Sequence, residues 1–277
     1  LSLSLWFFYL FWKAEAIAAA WMGVTLPEFP YMKEQSFGGY LAILGFSLWA
    51  GRRYFGEVWT RLLTGVRGED DSAEALSYRH SALLFLAGMA GAVAIGIYIK
   101  MSPWVAILFF VQYYAMTAIV GRIRAEMGLP THELERLGPT VMQGNILGPR
   151  LLGVQNLTSL SLFFGFTRGI RNIPFPHQFE ALYLAQKEGG SQRRLLLATM
   201  AMVPFAVALA FFFKLMIGYQ YGVGYYRSGW MLWSCQEAWN QLANWLNMNQ
   251  GVQWGRVVAS VLGFFVYFGL MVVRTTW

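Results

Sequence analysis

The sequence predicts an all-α fold: a polytopic transmembrane helix bundle of about six spanning helices plus one broken, re-entrant segment, all within one transmembrane domain. Three observations point there. Of 277 residues, 57% are hydrophobic and 17% aromatic, and only 13% are charged, about half the charge fraction of an ordinary soluble domain. Mean hydropathy is +0.43. The apolar residues also come in runs of roughly 15 to 22, the length needed to cross a hydrocarbon core.

The first span is expected over about 1–21, ending near Trp21, and the second over about 36–51. Residues 52–78 read as a cytoplasmic polar loop carrying the acidic cluster Glu69, Asp70, Asp71 and Glu74. The third span, about 79–99, places Ala87 and Gly91, and Ala92 and Gly96, four residues apart, so that small residues share a face and a neighbour can approach closely. The fourth, about 103–123, opens on Pro103, which is tolerated in a first helical turn because its missing N–H would be unpaired there anyway. The fifth covers about 195–217 and the last about 255–273. Between them, residues 219–254 hold Tyr225, Tyr226, Trp230, Trp233, Trp239, Trp245 and Trp254. That density suits an aromatic interfacial loop resting among headgroups; the alternative is that these rings cap the bundle as protein core.

Residues 137–169 are broken by Gly138, Pro139, Gly144, Gly148, Pro149 and Gly153, and their apolar half contains Gln155, Asn156, Thr158, Ser159 and Ser161. Charge arithmetic favours a segment that enters and returns. If it does not cross, 15 Lys and Arg residues face one side and four the other; if it crosses, the split is 11 against 8. Basic residues concentrate in cytoplasmic loops, so the first arrangement is preferred. Irregular backbone at membrane depth is tolerated only where protein or a water-filled cavity satisfies it, which places a cavity here.

Both ends look cut. The chain opens at Leu1 within an apolar run and closes at Trp277 as a helix reaches an interface; the opening run lacks the basic region and cleavage site of a signal peptide. Helices are therefore expected to continue on both sides, and this chain to pack against the remaining helices of a longer protein.

Several function classes are excluded or left without support. One cysteine, Cys235, rules out a disulfide framework and any cysteine-rich metal site. The net charge of +7 has no basic stripe interleaved with aromatics, so no nucleic-acid partner is expected; loop arginines explain it. The chain has no Walker A loop and no HExxH, so neither ATP hydrolysis nor a zinc site is indicated, and no cofactor or metal is implied.

The candidate site residues are ionisable or polar groups at membrane depth, where each is costly unless paired or wetted. Lys13 and Glu15 lie in the first helix, two residues apart and facing away from each other, so Glu15 needs a partner elsewhere. Arg122 and Glu126 are four apart and can pair along the helix, while Arg124 faces another direction. Pro176 can open a short helix on which Phe175, Phe179 and Leu182 form an apolar side, with His177 and Glu180 three apart beside it. Such a pair can relay protons near neutral pH.

The same segments carry a family resemblance. The motifs are Glu34-Gln35-Ser36-Phe37-Gly38-Gly39-Tyr40, Ser77-Tyr78-Arg79, the run from Arg122 to His132, Asn156-Leu157-Thr158-Ser159-Leu160, and Pro174-Phe175-Pro176-His177-Gln178-Phe179-Glu180. On these the chain resembles an uncharacterised family of large bacterial and archaeal polytopic membrane proteins, distantly similar to oligopeptide transporters. The resemblance implies a secondary transporter longer than this chain.

The expected function is secondary active transport of a small polar or anionic solute, peptide-like and proton-coupled. Arg122, Arg124 and Asn156 are assigned to the substrate, and Glu15, His177 and Glu180 to the proton. The expected location is a prokaryotic inner (cytoplasmic) membrane, with the lipid bilayer as partner and a homo-oligomer left open. Two alternatives remain: an intramembrane enzyme such as a lipid-linked transferase or protease, and a non-catalytic subunit of a membrane complex.

Overall fold

A computed structural model describes residues 2–26, 28–64, 76–127, 133–134, 137–170, 173–222, 230–248 and 250–276. The acidic cluster at 69–74, the 128–132 part of the Arg122 to His132 motif, Arg136, Tyr225 and Tyr226 lie outside the described residues. Among the described residues every regular element is a helix: α1 (Ser2–Trp21), α2 (Met32–Ala50), α3 (Arg52–Thr64), α4 (Tyr78–Tyr98), α5 (Pro103–Met127), α6 (Pro139–Leu147), α7 (Pro149–Leu162), α8 (Phe164–Thr167), α9 (Phe175–Lys187), α10 (Gln192–Tyr221), α11 (Trp230–Met248) and α12 (Trp254–Thr276).

Four of them, α4, α5, α10 and α12, are long and apolar enough to cross a membrane, and the protein is membrane-embedded. The other two expected spans, α1 and α2, are present as helices of 20 and 19 residues. α1 carries Lys13 and Glu15 within its apolar run, and α2 opens on Lys33 and Glu34. α10 shows what lipid exposure looks like: it packs on α9 and leaves Leu197, Met200, Phe205, Phe211 and Phe212 exposed. An apolar helix with no buried residue is stable only where its surroundings are apolar too.

Two expected loops contain helices. Residues 52–64 form α3, an amphipathic helix with no buried residue. Within 219–254, α11 occupies Trp230–Met248, and its Trp245 is 7% exposed. Trp245 closes over Gly144, where any Cβ would strike the indole, and its Nε1 donates to Asn145 Oδ1 at 3.1 Å. The aromatics therefore divide: Trp245 belongs to the core, while Trp239 and Trp254 stay exposed.

α5 is the central strut. Val105, Phe109, Met116 and Val120 repeat at helical spacing and are buried, packed by α2, α4, α6 and α9. The tightest crossing is α2 on α12. A Cβ on Gly38 would overlap the Ser260 carbonyl, and one on Gly263 would overlap the Gln35 carbonyl. Small residues at a crossing let the backbones touch.

The segment 137–169 is a hairpin. α6 leads away from Gly138, α7 and α8 lead back, and the two ends meet: Gly138 abuts Thr167, and the Thr140 and Thr167 hydroxyls are 2.9 Å apart. Phe166 stacks on Tyr113, near the middle of α5. The far end, residues 146–153, turns on Gly148 (φ 78°) and Gly153 (φ 75°), left-handed conformations that side chains with a Cβ rarely adopt.

Candidate functional site

The hairpin tip is where irregular backbone has to be satisfied, and the α11–α12 linker satisfies part of it, while side chains of α7 beyond the tip tie down a second break. Arg150 N–H donates to the Gln250 carbonyl at 3.0 Å, and Gln253 N–H to the Ile146 carbonyl at 3.1 Å, so the α11–α12 linker pairs with the tip. On the other side lies the α4–α5 loop. Ser159 Oγ donates to the Ile99 carbonyl at 2.9 Å, and Asn156 Oδ1 accepts from Ser102 N–H at 2.7 Å. Asn156 Nδ2 donates to Ser102 Oγ and to the Leu152 carbonyl. Three of the four hydrogen-bonding positions of that amide are thus occupied. Asn156 therefore ties α7 to the start of α5, with one acceptor position of its amide left over.

A charged cluster adjoins the tip through Gln253. Arg256, at the start of α12, donates from Nε to Gln253 Oε1 at 2.6 Å. Its Nη1 pairs with Glu34 of α2, its Nη2 lies 2.8 Å from Glu28, and its guanidinium sits 5.4 Å from the Tyr31 ring centroid. Glu34 is 1% exposed. Glu15 stands beside this cluster: its carboxylate accepts from Gln35 Nε2 at 2.8 Å, which is the partner that its place in α1 requires. Lys13 instead lies over the Tyr9 ring at 5.4 Å.

Toward the opposite end of α5 the predicted arginines separate. Arg124 is buried and its Nε lies 2.6 Å from Glu180 of α9, so a residue assigned to the substrate and one assigned to the proton are partners of each other. His177 is exposed one turn earlier on α9. Arg122 pairs with Glu126 at 2.8 Å along the helix, as the spacing predicts, and both remain partly exposed. They line an open cleft of about 1180 Å³ between the ends of α2, α5 and α12 and the helices α3 and α9. Its wall includes Phe46, Phe55, Phe175, Phe179 and Met271, and Arg274 faces it from α12.

Sequence reasoning missed three buried pairs. Arg168 pairs with Glu237 at 2.6 Å with both side chains largely buried, and it lies 4.6 Å from the Trp233 ring centroid. Glu34 and Arg256 are 222 positions apart, and no local pattern links them. Gln112 and Gln143 meet at 3.5 Å on α5 and α6, leaving Gln112 Nε2 and Gln143 Oε1 buried without a partner among the described residues. The only sequence signal for that last pair is a glutamine inside an apolar span.

No curated protein and no solved structure matches the chain. A family of unknown function, DUF6785, matches across residues 1–277, and the chain belongs to that family.

Proposed function

We propose that this chain is the helical body of a secondary active transporter for a small polar or anionic solute, coupled to protons and distantly related to oligopeptide transporters. The observation that carries the reading is the α6–α8 hairpin, whose irregular tip hydrogen-bonds to another chain break, the α11–α12 linker. Transporters build midplane sites from discontinuous helices of this kind, and such backbone persists at membrane depth only where it is enclosed or lines a cavity. In this reading α1 and α2 also span, giving six crossings, and the hairpin enters and returns on the cytoplasmic side. Residues 52–78 are then cytoplasmic, and the membrane is the cytoplasmic membrane of a prokaryote.

Arg122 is offered to the solute's negative charge. Glu180, 35% exposed, is the member of its pair assigned to the proton, because the Arg124 guanidinium stays charged while a carboxylate that water reaches can take up a proton. Glu15 and His177 serve the same proton path. The test is uptake by the full-length protein in liposomes under an imposed pH gradient, across a panel of peptides and organic anions. Gradient-driven uptake that Glu180→Gln abolishes is expected. No gradient-driven uptake of any member of the panel would sink the reading.

A further inference from the structure

The cleft at the end of α5 does not suit a small polar solute alone. It measures about 1180 Å³, just above the range of sites that hold drug-sized molecules, roughly 300 to 1000 Å³. Phe46 of α2, Phe55 of α3, Phe175 and Phe179 of α9 and Met271 of α12 form its wall. Acetate, phosphate or a single amino acid would leave that wall facing water.

Three charged residues line it: Arg122, Glu126 and Arg274. Arg122 is shared with Glu126, whereas Arg274, on the last turn of α12, has no ion-pair partner among the described residues. Two guanidiniums against one carboxylate leave one positive charge for a ligand to meet. A guanidinium offers a planar fork of donors to a carboxylate or phosphate, and aromatic walls take up an apolar body.

We infer that this cleft binds an amphipathic anion: one carboxylate or phosphate head held by Arg274 and Arg122, with an apolar tail along the phenylalanines. The inference rests on the transport reading only for Arg122 as a substrate contact; binding itself needs no flux. The shared chemistry has two sources, a single-chain organic anion and the headgroup of an anionic phospholipid.

The experiment measures binding of radiolabelled laurate to the full-length protein in nanodiscs of phosphatidylcholine, with empty nanodiscs as background. Saturable binding is expected, weakened about tenfold or more by Arg274→Gln because a charge-assisted contact is lost. Arg274 is exposed, so this variant is expected to fold; Phe179→Ala, with a thermal-stability control, tests the wall separately. Competition by phosphatidylglycerol would assign the head to a lipid, and its absence to a free organic anion; either supports the inference. Equal competition by dodecanol, equal competition by inorganic phosphate, unchanged affinity in Arg274→Gln, or no saturable binding would each overturn it. Laurate binding without gradient-driven uptake would defeat the transport reading alone, and uptake of small solutes without laurate binding would defeat this inference alone.

Discussion

Glu34 and Arg256 show how charge survives inside this bundle. Glu34 is 1% exposed and Arg256 9%, so each has surrendered its water to the other. Removing one partner strands a buried charge, at a cost of about 3 to 5 kcal/mol in comparable pairs. Glu34→Ala is therefore expected to lower the thermal midpoint of the purified protein far more than Glu28→Ala, because Glu28 is about half exposed (51%) and exposed pairs contribute little. Equal midpoints for the two variants would contradict the pairing. The sequence made Glu15 conspicuous, as a carboxylate within an apolar run, but Glu34 lay outside the span expected over about 36–51. Depth along a helix is legible from sequence; the identity of a partner on another helix is not. The amide pair Gln112 and Gln143 poses a different question. If it is only a buried defect, replacing both glutamines by Leu should raise stability and leave uptake intact, since each buried amide atom without a partner costs about 1 to 3 kcal/mol. If the pair meets the solute, stability holds or rises while uptake falls.

At the scale of elements, helix positions followed from hydrophobic run length, and their ends came within a few residues. Contacts between helices did not follow. The small residues of α4 suggested a close approach there; Ala92 and Gly96 do pack on the core that α5 fills, whereas Gly88 and Gly91 have open space where a Cβ would go. The close crossing is α2 with α12, from opposite ends of the chain. Spacing of small residues marks a surface that can be approached and says nothing about what approaches it. Gly38→Ala and Gly263→Ala are expected to reduce the folded yield sharply, because each Cβ would overlap a backbone carbonyl that no side-chain rotation can move. Gly91→Ala should leave the stability of this chain unchanged, and size-exclusion profiles of the three variants side by side check the contrast. The hairpin was legible as a break, through its glycines and prolines, while the α11–α12 linker that pairs with its tip carried no such warning.

At the scale of the molecule, orientation depends on which ends of the helices share a side. The cleft brings together Phe55 after α2, Arg122 near the end of α5 and Arg274 near the end of α12, so three helix C-termini lie at one end of the bundle. The loop charge count expects Arg52, Arg122 and Arg274 on one face, and under the positive-inside rule the proposal takes that face as the cytoplasmic one. The hairpin tip lies with the α4–α5 loop and the α11–α12 linker, at the other ends of α5 and α12. Single cysteines in a Cys235→Ser background separate the two ends. Cysteines at Arg61 and Lys187 should resist an impermeant thiol reagent added outside intact cells, and those at Lys33 and Lys100 should react. Labelling at Lys187 together with protection at Arg61 would mean that the chain crosses between α5 and α9. In that case the hairpin could not return to the side it entered from, and the cavity argued from its broken backbone would lose its foundation.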